Sequence, residues 1–265
     1  MLHCALSLVS SPHRPRVCAV SFLNTVPLVW GMMHGQEKDI FELSFSVPSD
    51  CADQVQRGEV DLGIIPVAEV QRLNLPYFRD VGIGGRGPVR TILLISKKDP
   101  ADIRILAADS SSRTSVLLTR LILARKYGCK PAIQTVSPDL DRMLERADAA
   151  LIIGDPALRI EPGKLPYQVL DLGKEWTEMT GRPMVFALWS GQQQFMTETN
   201  RKAFADSCRF GLEHLEDIVR ANEADRNISA DLIRTYLTKH ITFELNADDH
   251  RGLQLFWSYA AELDS

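Results

Sequence analysis

Hydroxyl and guanidinium side chains gather where a predicted strand gives way to a helix. Residues 109–115 read Asp-Ser-Ser-Ser-Arg-Thr-Ser, between an apolar run at 104–108 and a helix-like run that begins near Ser112. A helix N-terminus presents unpaired N–H groups and about half a positive charge. Ser and Thr there either cap the helix or donate to an anion. We expect Ser111, Ser112, Arg113 and Thr114 to bind a small carboxylate; the alternative is a capped helix with spare hydroxyls.

A second polar segment has the same placement. Residues 21–28 read Ser-Phe-Leu-Asn-Thr-Val-Pro-Leu and follow a short apolar strand at 17–20. Ligands of open α/β sheets bind beyond the carboxyl ends of the strands. Asn24 can donate and accept, and Thr25 precedes a helix opened by Pro27. We expect Ser21, Asn24 and Thr25 to form a second anion site facing the first; an ordinary N-cap pair is the alternative.

Two single residues are further candidates. Arg86 lies in a Gly-Gly-Arg-Gly-Pro loop, where glycines let a backbone approach a ligand closely. The alternative for Arg86 is a surface arginine on a flexible turn. Asp155 follows an apolar strand and precedes Pro156, so it either caps a helix or points into a cleft as a base.

Composition excludes several function classes. The 265 residues are 45% hydrophobic and 24% charged, with a formal net charge of −4, so no basic surplus exists to bind nucleic acid. No apolar run reaches the roughly 20 residues of a membrane span. The six His and five Cys show no metal-ligand spacing. We expect a cytoplasmic protein with reduced thiols, a small-molecule substrate and no metal or other cofactor. The oligomeric state stays open.

Short apolar strands alternate with helices through most of the chain, which predicts an α/β fold with a parallel sheet covered on both faces. After residue 189 the pattern predicts helices at 197–221, 229–240 and 248–263. The predicted strands are 17–20, 41–47, 60–65, 89–96, 104–108, 133–136, 149–153 and 184–189. Two glycine-containing segments, 84–88 and 180–183, resemble crossings between lobes.

These crossings predict two lobes around a cleft, a preferred place for a ligand. Residues 1–15 are expected to be a loose leader. Residues 16–94 and 184–265 would form lobe I, and residues 95–183 would form lobe II.

Six motifs together resemble bacterial chorismate dehydratases of the futalosine route to menaquinone. They run in the family's order, from about residue 16 to residue 189. They are S-F-L-N-T-V-P-L at 21–28, G-E-V-D-L with I-P at 58–66, R-G-P-V at 86–89, S-S-R-T-S at 111–115, L-I-I-G-D at 151–155 and T-G-R-P at 180–183. The resemblance implies a two-lobed fold like that of type II periplasmic binding proteins, used as an enzyme, with a helical C-terminal segment.

The implied activity is that of a lyase, which removes water from chorismate to give 3-[(1-carboxyvinyl)oxy]benzoate. Chorismate carries two carboxylates, which fits two anion sites. No matched motif holds a His, Lys or Glu base, so either a substrate carboxylate or Asp155 takes the proton, and we favour the substrate carboxylate. Asn24 would hold the departing hydroxyl or a carboxylate.

The sequence departs from the family at Gly85 and Thr91, where many members carry Ser. If the hydroxyl at position 85 touches substrate, Arg86 or a backbone N–H must replace it. A non-enzymatic protein that binds or senses a small carboxylate is the alternative function.

Overall fold

The computed structural model describes residues 14–109 and 111–263 and contains eleven strands within these ranges. The predicted leader up to residue 13, and Ser110, lie outside the described residues. The strands are β1 (Arg16–Val20), β2 (Glu42–Ser46), β3 (Leu62–Pro66), β4 (Tyr77–Gly85), β5 (Ile92–Ser96), β6 (Ile105–Ala108), β7 (Ala132–Thr135), β8 (Ala149–Ile153), β9 (Gln168–Asp171), β10 (Met184–Gly191) and β11 (Thr242–Glu244).

Helices surround these strands, and the last third of the chain is mainly helical. They are α1 (Val26–His34), α2 (Pro48–Arg57), α3 (Val67–Arg72), α4 (Arg113–Lys126), α5 (Leu140–Arg146), α6 (Gly154–Leu158), α7 (Leu172–Thr180), α8 (Glu198–Glu213), α9 (Leu215–Arg226), α10 (Ala230–Thr235) and α11 (Ala247–Leu263). A 3₁₀ turn spans Leu23–Thr25, and a π-helical turn spans Tyr236–His240. None of the helices in the described part of the chain is both long and apolar enough to cross a membrane.

The strands form two mixed sheets, ordered β11-β4-β10-β3-β1-β2 and β7-β6-β8-β5-β9. We call the first sheet with its helices lobe I and the second lobe II. β1 runs parallel to β2 and β3, but β10 runs antiparallel to β3 and β4. In lobe II, β5 is antiparallel to β8 and β9. The expectation of a purely parallel sheet is therefore wrong, because β4 leaves lobe I and β10 returns to it as its neighbour.

The predicted strand at 89–96 starts later than expected. Arg90 adopts a positive φ of 64°, and the backbone N–H groups of Val89 and Arg90 both donate to the Asp171 carboxylate. This turn interrupts the extended backbone between β4 and β5, and β5 pairs only with strands of lobe II. We therefore propose a lobe boundary just before Ile92 rather than between residues 94 and 95.

Most other predicted elements are confirmed within a few residues. β4, β9 and β11 were not predicted, and the single helix expected at 197–221 is divided into α8 and α9 at His214. The close packing of α8 on α1 depends on Gly211, where a Cβ would lie 2.2 Å from the Pro27 carbonyl oxygen. Trp176 and Trp189 are fully buried in the core.

Candidate functional site

The loop after β1 places two unpaired polar atoms in the interior. Leu23 and Thr25 are buried in the 3₁₀ turn, and Pro27 occupies the first turn of α1. Four buried side-chain polar atoms of the described residues have no hydrogen-bond partner, and two of them are Asn24 Oδ1 and Thr25 Oγ1. An unpaired buried acceptor costs free energy, so adjacent unpaired atoms in one loop point to a ligand. Ser21, by contrast, is exposed, and its N–H donates to the Ser46 carbonyl.

Asp155 joins this loop to lobe II. Its Oδ1 accepts from the Leu23 N–H at 3.0 Å, and its Oδ2 forms an ion pair with Arg226 of α9. Arg226 also donates to the Ser21 carbonyl oxygen at 3.0 Å. Asp155 makes no capping bond to its own helix, so the capping interpretation is wrong; its carboxylate instead clamps lobe II onto the β1 loop.

The contact between α6 and the β1 loop explains why residue 154 is a glycine. Gly154 has a φ of +64°, and a Cβ there would lie 2.7 Å from the Phe22 ring. Only glycine combines this backbone conformation with so close an approach. The G-D pair at 154–155 therefore meets the F-L pair at 22–23 across the interface between the lobes.

The hydroxyls at the start of α4 are largely engaged with the protein. Ser111 donates to the Asp109 carboxylate at 2.5 Å, and Ser112 caps α4 by accepting from the Ser115 N–H at 3.3 Å. Thr114 Oγ1 accepts from the Ala68 N–H of lobe I at 3.2 Å. The cap at Ser112 was one of the two alternatives from the sequence. That these residues also bind a carboxylate stays a prediction.

Arg113 reaches the opposite lobe. It forms ion pairs with Asp53 of α2 and Glu69 of α3, at 2.8 and 2.7 Å. The guanidinium holds the pKa of Asp53 below its ordinary value. The Ser49 N–H of α2 donates to the Ser111 carbonyl at 3.0 Å close by. Together with the Asp155 clamp, these bonds hold the two lobes closed on each other.

Tyr236 and Thr91 form a buried hydroxyl pair. Tyr236, 1% exposed, has its phenol oxygen 3.1 Å from Thr91 Oγ1. Burial raises the pKa of the Tyr236 phenol, whereas hydrogen bonding to Thr91 lowers it. Tyr236 begins the π-helical turn, a feature often found at functional sites.

Arg86 and Gly85 lie at the crossing between the lobes. Arg86 is exposed, forms an ion pair with Asp248 and donates to the Gly181 carbonyl at 3.3 Å. Nothing in these contacts directs it toward Asn24, and a substrate contact by Arg86 stays a prediction. A Cβ at Gly85 would lie 2.7 Å from Val89 Cγ1 and 2.9 Å from the His240 carbonyl oxygen. The π-turn therefore occupies the space that a serine side chain would need.

A cavity of about 550 Å³ opens beside Arg113, with Glu69, Val116 and Ala260 among its lining residues. It does not reach Asn24 or Thr25, so it lies outside the polar cluster between the lobes. Within residues 14–109 and 111–263, no three His, Cys, Asp or Glu side chains lie close enough together to hold a metal ion.

Sequence reasoning singled out Asn24, Thr25 and Asp155 as candidates, but it did not indicate Tyr236 or Arg226. Tyr236 lies 145 residues after Thr91, and Arg226 lies 71 residues after Asp155. No local motif marks either residue, because both lie in amphipathic helical segments whose apolar pattern indicates only core packing.

The chain matches the family model described as menaquinone biosynthesis over residues 15–262. Among solved structures it is similar to protein AF1704 from Archaeoglobus fulgidus, with a TM-score of 0.74 and 16% identity over 96% of this chain and 99% of that one.

It is also similar to the periplasmic aliphatic sulphonate binding protein SsuA from Escherichia coli, with a TM-score of 0.62 and 16% identity over 94% of this chain and 93% of that one. The Candida albicans CA3427 gene product is described as having the generic periplasmic binding protein fold. It is similar with a TM-score of 0.60 and 12% identity over 96% of this chain and 92% of that one. At these identities the likeness concerns the fold alone. It confirms the expected two-lobed fold of periplasmic binding proteins.

Proposed function

The chain belongs to the menaquinone biosynthesis family, and we propose that its reaction is the dehydration of chorismate to 3-[(1-carboxyvinyl)oxy]benzoate. The observation that carries this proposal is the pair of unpartnered buried atoms, Asn24 Oδ1 and Thr25 Oγ1, at the interface between the lobes. A substrate with a ring hydroxyl and two carboxylates offers partners for both atoms. The six motifs that resemble chorismate dehydratases include these two residues.

Dehydration breaks a ring C–H bond beside the ether and the neighbouring C–OH bond. The ring becomes aromatic, which drives the step, and one water leaves. In our proposal the substrate's enolpyruvyl carboxylate takes the ring proton and passes it to the departing hydroxyl, so the carboxylate is regenerated. Asn24 Oδ1 accepts the hydrogen of that hydroxyl, which leaves an oxygen lone pair free for the incoming proton.

The protein's contribution is then orientation and exclusion of water. Asp155 is the alternative base. Both of its oxygens already bind lobe I, through the Leu23 N–H and Arg226, and this supports a clamping role. The bonds between the lobes are those expected of a closed state around a small molecule.

The test is to incubate the purified protein with chorismate and follow substrate and product by chromatography. We expect chorismate to be consumed and the aromatic enolpyruvyl ether to appear, with no added metal or nucleotide. If the protein binds chorismate but returns it unchanged, the alternative of a non-enzymatic carboxylate-binding or sensing protein is correct.

A second experiment tests the base. A chorismate analogue with an amide in place of the enolpyruvyl carboxylate should bind and fail to aromatise. Turnover of this analogue at the normal rate would rule out the substrate carboxylate and favour Asp155.

A further inference from the structure

Two buried cysteine thiols touch each other inside lobe I. Cys18 in the middle of β1 and Cys51 in α2 are both fully buried, and their Sγ atoms are 2.7 Å apart. Both are free thiols, and Cys51 Sγ also donates to the Ala19 carbonyl oxygen at 3.5 Å. Cys208 is fully buried as well, but no hydrogen bond joins it to another cysteine of the described part of the chain.

Rigid elements hold the two sulfur atoms at this distance. β1 pairs with a strand on each side, and Cys51 belongs to the buried face of α2 together with Ala52 and Val55. A disulfide bond is about 2.05 Å long, so the sulfur atoms need to approach by less than about 1 Å to form one. Reacting groups held so close react as one unit, without an encounter step.

The two thiols differ in acidity, which assigns their chemical roles. The hydrogen bond with Cys51 lowers the pKa of the Cys18 thiol, whereas the same bond and burial raise the pKa of the Cys51 thiol. The thiolate is the nucleophilic form of cysteine. Cys18 is therefore the nucleophile of the pair, and Cys51 is the thiol that resolves its oxidised form.

We propose that Cys18 and Cys51 are a redox site, which hydrogen peroxide converts into an intramolecular disulfide. Full burial of both side chains restricts the oxidant to a molecule about as small as water. The cover is thinnest at β2, the edge strand of the sheet, where Ser44 lies opposite Cys18 and is exposed. This site is independent of the function proposed above.

The reaction consumes one peroxide and releases two water molecules. The Cys18 thiolate attacks a peroxide oxygen, the O–O bond breaks, and hydroxide leaves as a sulfenic acid forms on Cys18. Cys51 Sγ then attacks Cys18 Sγ, so that the S–S bond forms and the S–O bond breaks. The leaving hydroxide takes the Cys51 proton. The two thiols are oxidised by two electrons in total, and the peroxide is reduced by the same two.

The disulfide would fasten α2 to β1. α2 supplies the Ser49 N–H and the Asp53 carboxylate that bind lobe II, so the bond would keep this part of lobe I in place when the lobes separate. It also closes the loop between residues 18 and 51, which restricts the unfolded chain. We expect oxidation to raise the melting temperature by about 5–15 °C, and a thiol reductant to reverse the rise.

Peptide mapping of the full chain tests the proposal. The reduced protein is treated with hydrogen peroxide, alkylated with iodoacetamide in denaturant and digested without reductant. Met33, which is 38% exposed, measures the dose through its conversion to the sulfoxide. We expect mass spectrometry to find the linked Cys18 and Cys51 peptides in most chains before Met33 is half converted. Alkylated thiols or sulfinic acids at both positions at that dose would refute the proposal.

Two variants connect the bond to the change in stability. Cys51→Ser should form no link, and peroxide should leave its melting temperature unchanged. Cys208→Ser is the matched control, because it also removes a buried thiol, and it should respond to peroxide as the wild type does. An equal rise in melting temperature in Cys51→Ser would contradict the proposal. If Cys51→Ser does not fold, the peptide map of the wild type decides alone.

Discussion

Asp155→Asn separates the two roles left open for this carboxylate, clamp and base. Asp155 is 8% exposed and binds lobe I through two contacts, the Leu23 N–H and the Arg226 guanidinium. The amide of the variant keeps an oxygen for Leu23 but turns NH₂ toward Arg226, another donor. The variant therefore loses one hydrogen bond to a charged group, worth about 1.5–3 kcal/mol.

This loss falls on the closed arrangement, because Asp155 and Arg226 lie in different lobes. A ligand that binds only the closed state then has its apparent affinity reduced by the closed fraction. With about 1.4 kcal/mol for each tenfold change, the upper limit is a 10- to 150-fold rise in the Kd for chorismate. Turnover at saturating substrate should stay within a few-fold of wild type, since saturation restores closure.

The assays are calorimetry for Kd, steady-state kinetics for kcat and KM, and small-angle scattering of the ligand-free protein, whose radius of gyration should rise. Asp139→Asn is the matched control, since Asp139 caps α5 within lobe II by accepting from the Arg142 N–H. An unchanged Kd together with a loss in kcat of more than about a thousandfold would refute the clamp and identify Asp155 as the base.

Three further outcomes are expected. Asn24→Ala should lower turnover more than about tenfold with almost unchanged thermal stability, because its Oδ1 has no partner to lose among the described residues; a large fall in melting temperature would mean a structural role. Ser112→Ala should lower the unfolding free energy by about 1 kcal/mol through loss of the α4 cap, and Ser112→Asp should restore it; denaturant titration measures both. Lys98, together with the N–H groups of Arg104 and Ile105, lowers the pKa of Asp148 from 3.8 to about 2. The ionised Asp148 carboxylate therefore stabilises the fold fully above pH 3.8, and this stabilisation is lost as the pH falls through about 2. Asp148→Asn should therefore cost about 1–2 kcal/mol at neutral pH and nothing below the lower value, and equal costs at both pH values would contradict this.

The sequence predicted the fold best where the apolar periodicity agrees with the residues that begin or end helices and strands. β1 and β8 contain continuous apolar runs, α4 begins after a serine cap, and all three lie where expected. β4 was missed because Gly82, Gly84 and Gly85 interrupt its pattern. A Cβ at Gly82 would lie 2.7 Å from the Ala187 carbonyl oxygen, so β10 requires glycine there for close approach. In the sequence, such glycines are typical of a turn. In the fold, they allow two strands to pair closely.

For the candidate site, the sequence supplied candidate residues but not their hydrogen-bond partners. Motifs that follow strands indicated the β1 loop and Asp155 as candidates, because strand ends cluster at one edge of a sheet. What the sequence could not supply is the partner of each group. A helix cap was one of the two roles expected of Asp155, but the Leu23 N–H and Arg226 bind its carboxylate instead. A hydrogen bond between residues so far apart in the chain produces no periodic pattern in the sequence.

The two polar segments expected to form facing anion sites differ in how many of their side-chain polar atoms already have hydrogen-bond partners in the protein. At the start of α4, Ser112 and Thr114 accept from backbone N–H groups, and the Ser111 hydroxyl donates to Asp109. In the β1 loop, Asn24 Oδ1 and Thr25 Oγ1 are buried without partners among the described residues. Of these bonds, only that of Thr114 with Ala68 crosses between the lobes, so closure engages one hydroxyl of the α4 segment, whereas it encloses two unpartnered atoms of the β1 loop. A ligand between the lobes therefore gains most from the β1 loop, where its donors relieve a penalty that the closed protein already carries.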